Sequence, residues 1–440
     1  MKTPRSPRVL SGVAALSICA LALTACGPDT SGDGPEEPSD IDWSSIEPAD
    51  EITFASNHPG ASVDIEESMI EAFTEETGIE VNLINSGGNY EETSQWYQTG
   101  GSDTADVVVL SDATWFPNYL NDSLLPLDDV LEAAEVDTDT YVEALYEDYN
   151  YEGSHYGVPY ARSTPLFYYN ADHYEEAGIE EVPETWEEVA EVSEKLMEAD
   201  VADSAFVYPP QPEYPAWTMA NLVWGYGGAW SEEWDFEIMS SDANVEALEF
   251  AQESTSDWAS VASGDQADDF SAGVSSQMIQ STGSLGGVLE SADFEVGVAF
   301  LPSGPEAEGE TPTGGAGLMI SASSTPEEQL AAAKFLGFVT NSENTAEFSA
   351  GTGYVPVRTD AEMSDVYDET PEFETAVDQL ERARVQDYSR VFLPGGDLAI
   401  SGALQEILTN DDVDVRDRLE SLQEELEGLY ETEIADDIEN

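Results

Sequence analysis

The chain has 440 residues, of which 93 are acidic and 12 basic, for a formal charge of −81. Such a field repels nucleic acid and anionic membrane surfaces, which excludes both as partners. It also repels itself, and only at molar salt, where the Debye length is about 3 Å, is that repulsion screened, so the composition predicts a halophile's extracellular protein with its acids on solvated faces.

The first 26 residues read as a secretory signal. Lys2, Arg5 and Arg8 supply positive charge, residues 9–23 are almost uninterruptedly apolar, and Leu23-Thr24-Ala25-Cys26 closes the segment. The run is short of the about 20 apolar residues a membrane span needs, so cleavage is expected. Leu-Thr-Ala-Cys followed by Gly27 resembles the lipobox of prokaryotic lipoproteins. That resemblance implies diacylglycerol on the Cys26 thiol and durable anchoring at the outer face of the cell membrane. Cys19, the only other cysteine, leaves with the signal. The mature chain therefore has no disulfide and relies on an ordinary core. Residues 27–50, rich in Gly, Pro, Ser and acids, are expected to form a flexible tether.

Folding signals begin at Glu51-Ile52-Thr53-Phe54, a short strand. Ile65, Met69 and Phe73 share one helical face, and Gly78 is placed to end that helix. Ile79, Val81 and Leu83 alternate as a strand, residues 90–98 form another helix, and Asp106-Val107-Val108-Val109-Leu110 suits a strand covered on both faces. This alternation predicts an α/β lobe with a mainly parallel sheet. The pattern restarts after residue 160 with the strand Pro165-Leu166-Phe167-Tyr168-Tyr169. Thr185-Trp186-Glu187-Glu188 is a capping box opening a helix that turns Val189, Val192 and Leu196 inward. Val296, Val298 and Phe300 mark a further strand, and Leu318-Met319-Ile320 another. Thr325-Pro326-Glu327-Glu328 joins an N-cap, a first-turn proline and a capping-box glutamate. The last helix, 415–429, carries Val415, Leu419, Leu422, Leu426 and Leu429, a face suited to packing on its own lobe.

Chemistry-bearing patterns are sparse. The histidines are His58, His155 and His173, with no metal spacing, and no nucleophile elbow or phosphate loop occurs. No metal, cofactor or catalytic residue is predicted. Carboxylate pairs can be drawn almost anywhere in so acidic a chain, so a secreted carbohydrate-active hydrolase is a poorly supported alternative. The 9 Trp and 19 Tyr are a stronger signal. Tyr214, Trp217, Trp224, Tyr226 and Trp230 cluster near glycines, as a sugar or polyol site would require. Arg390, between Tyr388 and Phe392, and Arg162, before Ser163-Thr164-Pro165, are rare cations; each is either an anion-gripping fork or one half of an internal ion pair.

Thr77-Gly78-Ile79-Glu80-Val81, Tyr168-Tyr169-Asn170, Phe270 with Gly273 and Met278, Ala333-Lys334-Phe335-Leu336 and Thr352-Gly353-Tyr354-Val355-Pro356-Val357 resemble the solute-binding proteins of ABC importers with the maltose-binding type of fold. Gly88-Asn89-Tyr90-Glu91-Glu92, Ser163-Thr164-Pro165, Gly283-Ser284-Leu285 and Gly314-Gly315-Ala316 resemble the branch that binds glycerol-3-phosphate and glycerophosphodiesters. The resemblance implies a type II two-lobe periplasmic-binding-protein fold with a cleft that closes by hinge motion. It implies lobe one at 51–162 plus 313–354 and lobe two at 163–312 plus 355–440. Tyr90, Ser163, Ser281, Gly315, Tyr354 and Arg390 would surround the ligand, with Arg390 on the phosphate; Trp217 would join them from the aromatic cluster. Asp112 stands where the branch has a glutamate on the glycerol hydroxyls, and Arg162 where it has a small polar residue, so Arg162 is either a further phosphate contact or an adaptation to acidic surroundings. The implied activity is binding without chemistry by a monomer that delivers its solute to a membrane permease. A neutral di- or oligosaccharide is the alternative ligand.

Overall fold

The computed structural model describes residues 41–58 and 61–438. The expected signal segment, the lipidation at Cys26 and the start of the tether lie outside the described residues.

Two five-stranded sheets carry the architecture. The first has the spatial order Glu80–Asn85, Glu51–Ser56, Val107–Ser111, Gly314–Ile320, Val158–Ser163. Its first three strands are parallel, the helix Ala61–Thr77 forming the crossover between two of them. Gly314–Ile320 arrives from a distant part of the chain and runs antiparallel to both neighbours, which makes this sheet mixed rather than mainly parallel. Val107–Ser111 lies at its centre with every residue buried, the environment that an unbroken Val-Val-Val-Leu run demands.

The second sheet is ordered Val296–Ala299, Pro165–Asn170, Gln277–Ser281, Phe206–Tyr208, Ala259–Val261. Pro165–Asn170 is antiparallel to both of its neighbours. The chain passes from the first sheet to the second within Ser163-Thr164-Pro165, and such crossings make a two-lobe α/β fold of discontinuous segments.

Helix starts follow local chemistry. At Thr325 the capping box is complete: the Thr325 N–H donates to Glu328 Oε2 at 2.8 Å and the Glu328 N–H to Thr325 Oγ1 at 3.4 Å, opening Pro326–Val339. At Thr185 only half of the expected box forms. The Glu188 N–H donates to Thr185 Oγ1 at 3.2 Å, but the Glu188 carboxylate accepts from Glu184 N, one residue earlier. Ser303 instead pairs with the residues on either side of Thr185, accepting from Trp186 N at 3.0 Å and donating its own N–H to Glu184 O at 2.8 Å. The helix Val415–Glu433 buries Val415, Leu419, Leu422 and Leu426 and packs on Gly396–Thr409 of its own lobe.

Two expected boundaries move. Residues 41–50 are not all tether: a turn at Trp43–Ser45 brings Trp43 and Ile46 against the first lobe's core, and Ala49 N donates to Glu327 O at 2.8 Å. Two large apolar side chains gain more by burial than by remaining in a solvated leash. Residues 355–361, assigned to lobe two from sequence, bond to the first lobe. Val142 N donates to Val357 O at 3.0 Å, Thr359 N to Thr140 O at 2.8 Å, and the Arg358 guanidinium lies 3.6 Å over the Tyr141 ring. The chain has returned to the second lobe by Glu372–Asp378, which packs on Val296–Ala299.

Candidate functional site

A cleft of about 210 Å³ opens between the two sheets, lined by residues of both lobes. Several lie at the carboxyl ends of strands, where an open α/β sheet leaves backbone and side chains free to meet a ligand: Asp112 follows Val107–Ser111, and Ser163 and Ser281 end their own strands. Tyr90 begins the helix Tyr90–Trp96, capped by Asn89, whose Oδ1 accepts from Glu92 N at 2.8 Å. Gly315 adopts φ +91°, and a Cβ there would stand 2.1 Å from Ala161 O, so only glycine lets the strand approach its neighbour this closely. Trp217 is held by its indole N–H, which donates to Thr313 O at 2.8 Å. Its ring lies against Gly314, where a Cβ would collide.

Eight of the nine residues singled out from sequence, Tyr90, Asp112, Ser163, Trp217, Ser281, Gly315, Tyr354 and Arg390, therefore line one cleft. The ninth, Arg162, does not. Successive residues of a strand point to opposite faces, so with Ser163 turned to the cleft Arg162 turns inward. It is fully buried, donates to Tyr149 Oη at 2.6 Å and pairs with Asp148, so of the alternatives offered for it an internal ion pair is the observed one. Burial, opposed by Arg162 and reinforced by Asp112, raises the Asp148 carboxyl to about 6.

Among the described residues lining the cleft, Arg390 is the only cation. Its Nη1 donates to Asp112 Oδ2 at 3.1 Å and to Gln386 Oε1. Its Nε lies 2.9 Å from Asp397 Oδ1. The angle there is too poor for a hydrogen bond, so that contact is one of charge only. Burial works against the charge on Arg390, but Asp112 and then Asp397 outweigh it, and the guanidinium stays protonated. Burial pushes Asp397 up, Arg390 pulls it down, and Asp112 and Glu91 push it up again.

Sequence patterns gave no sign of an acidic arc. Glu91, Glu213 and Asp265 also line the cleft, beside Tyr214. In so acidic a chain no carboxylate stands out; only the fold reveals which of them converge. Glu213 is raised by burial, then by Asp265 and Asp268. Tyr214, at φ +53°, reaches across to the first lobe, its hydroxyl 3.3 Å from Glu91 Oε2. The aromatic cluster divides: Tyr214 and Trp217 face the cleft, whereas Trp224 and Trp230 are core, their indole N–H groups donating to Asp387 Oδ2 at 2.9 Å and Ala216 O at 2.8 Å. Among the described residues no three His, Cys, Asp or Glu side chains are grouped to hold a metal ion.

The family model for bacterial extracellular solute-binding proteins matches residues 68–375. The sn-glycerol-3-phosphate-binding periplasmic protein UgpB of Salmonella typhimurium is 28% identical over 239 residues, 50% of this chain and 54% of that protein, so the chain spans about half the length of the curated relatives it matches. The crystal structure of UgpB from Mycobacterium tuberculosis in complex with glycerophosphocholine superposes with a TM-score of 0.82 at 39% identity, covering 88% of this chain and all of that one. The GacH receptor of Streptomyces glaucescens, at a TM-score of 0.75 and 19% identity over 87% of this chain, shares the fold.

Proposed function

The chain belongs to the bacterial extracellular solute-binding proteins, and on that premise we propose that it captures a glycerol-3-phosphate or glycerophosphodiester-type solute by lobe closure and delivers it to an ABC permease. Arg390 carries this reading, because it is a buried guanidinium at the cleft wall with neighbours on both lobes. A planar fork in a water-poor cleft holds a phosphoryl oxygen pair far more strongly than it would in bulk water. A neutral oligosaccharide would use the aromatic wall and leave that charge without a ligand partner.

Charge balance favours a diester over the monoester. Glu91, Asp112, Glu213 and Asp265 line the cleft against Arg390. A phosphomonoester brings about −1.5 to −2 charges at neutral pH, whereas a diester brings one. A diester whose headgroup is a cation would also be met by the acidic arc and by the aromatic side chains Tyr214 and Trp217. Glycerophosphocholine has that form.

The 1–26 signal, lipidation at Cys26 and a tether beginning at residue 27 complete the proposal as an anchor that keeps a monomer at the outer face of the cell membrane. No chemistry is assigned to the cleft. Calorimetry in molar salt with glycerophosphocholine, glycerol-3-phosphate and maltose tests the reading: the diester is expected to bind most tightly, and binding of maltose alone would overturn the phosphate assignment while leaving the family intact.

A further inference from the structure

Behind Tyr90 lies a buried polar chain that no contact with ligand requires. Glu66, on Ala61–Thr77, is 1% exposed, and His58 is 7% exposed. Glu66 Oε1 collects three donors: Ser56 Oγ at 3.0 Å, His58 Nδ1 at 2.9 Å and the Tyr160 hydroxyl at 3.3 Å. Their convergence on one oxygen suits a carboxylate, which only accepts. The His58 backbone N–H also donates to Ser56 Oγ at 3.2 Å, which fixes the loop that carries the imidazole. On the far side of the ring, Nε2 is 3.4 Å from Tyr90 Oη, at the long end of hydrogen-bond range, and Tyr90 Oη is 3.4 Å from Tyr354 Oη. The rings of Tyr160, Phe348 and Tyr354 pack around His58 at 6.0 to 6.4 Å and keep it out of water.

We infer that His58, oriented by Glu66, is a positioning residue that sets the direction of the Tyr90 hydroxyl and thereby makes the Tyr90–Tyr354 wall a hydrogen-bond acceptor toward the ligand. With the Nδ1 proton directed at Glu66, a neutral imidazole offers Nε2 as an acceptor. Tyr90 then donates its only proton to His58, so in the Tyr90–Tyr354 contact the Tyr354 hydroxyl is the donor, and with both protons spent only oxygen lone pairs are left for the ligand. Such a wall accepts from a glycerol hydroxyl and repels a phosphate oxygen. Ligand polarity follows: hydroxyl end at Tyr90, phosphate at Arg390. A His58 protonated on both nitrogens would reverse this, since Nε2 would donate and the Tyr90 O–H would turn to the cleft. The acceptor assignment to ligand rests on the glycerophosphodiester reading; the orientation of Tyr90 by His58 does not.

Two measurements keep the two apart. The chain has three histidines, so nitrogen NMR of histidine-labelled protein is assignable by single substitutions. In the ligand-free protein, His58 is expected to show a protonated Nδ1 and a hydrogen-bonded, unprotonated Nε2. Tyr90→Phe should shift Nε2 toward a free pyridine-type nitrogen and leave His155 and His173 unmoved. A protonated Nε2, or one indifferent to Tyr90→Phe, overturns the inference. In calorimetry with glycerophosphocholine, His58→Phe and Tyr90→Phe are each expected to weaken binding roughly tenfold, and the double variant no further than Tyr90→Phe alone. Additive losses overturn it. Should His58→Phe fail to fold, the NMR result on Tyr90→Phe decides. Should the wild type ignore glycerophosphocholine while the NMR result holds, the ligand reading fails and the positioning of Tyr90 stands.

Discussion

Arg390 Nη1 and Asp112 Oδ2, 3.1 Å apart, form an ion pair whose partners come from different lobes. Asp112 follows the central strand of the first sheet and Arg390 sits on the short helix Tyr388–Val391 of the second lobe. The proposed phosphate contact is thus also a link that holds the lobes together. Removing it should cost both affinity and closure. Arg390→Ala is expected to weaken glycerophosphocholine binding at least about 100-fold, as loss of a buried charge-assisted contact does. Calorimetry checks the affinity and small-angle scattering the closure; unchanged affinity would move the phosphate elsewhere.

A second link spans the cleft mouth, where the Tyr214 hydroxyl meets Glu91 Oε2 at 3.3 Å. This contact is solvent-exposed, so its worth is modest, about 0.5–1.5 kcal/mol. Tyr214→Phe should release ligand several-fold faster in stopped-flow measurements with little change in the association rate. An effect confined to association would show that the contact forms before closure rather than after it.

Arg162 makes the opposite prediction to Arg390. Its substitution by Ala leaves Asp148 buried without its counter-charge, which typically costs about 3–5 kcal/mol. A large drop in Tm is expected, with ligand affinity nearly unchanged in the fraction that folds. Loss of affinity at unchanged Tm would return Arg162 to the ligand site.

Asp148 itself gives a pH signature. Its carboxyl is raised to about 6 in the folded chain from an ordinary value of 3.8. The folded state therefore binds this proton more tightly than the unfolded state does. The stability it contributes is present at low pH and is lost as pH rises through that window. Carbon-13 NMR of the Asp148 carboxyl is expected to titrate near the upper end of the window, and a midpoint at 3.8 would remove the effect.

Gly315 is expected to tolerate no side chain. At φ +91°, with Ala161 O only 2.1 Å from where a Cβ would sit, Gly315→Ala has to displace the strand pairing that shapes the cleft wall. A loss of about 2 kcal/mol or more in denaturant unfolding, together with weakened binding, is the expected outcome.

Local signals carried much of the fold because each was complete within a few residues. The Thr325 box and the stop at Gly78 needed no distant partner, and the run 107–110 could be read as a covered strand from its own residues although its partners are distant. The half-formed cap at Thr185 and the docking of Trp43 and Ile46 did need one, in Ser303 and in the first lobe's core, and so were not legible locally. The sheet's mixed character was hidden for the same reason: Gly314–Ile320 joins Val107–Ser111 and Val158–Ser163, strands formed far earlier in the chain.

Apolar period and capping chemistry are properties of short segments, and they were enough to outline the two α/β patterns; the motifs carried a family resemblance, and eight of the residues singled out from sequence fall in the cleft. Which charges meet was settled by the folded arrangement alone. Burial and distance, not composition, separate Arg390 at the cleft from Arg162 in the core, and Glu91, Glu213 and Asp265 from the rest of the 93 acidic residues. Electrostatic energy depends on separation and on exclusion of water, and neither is written along a chain.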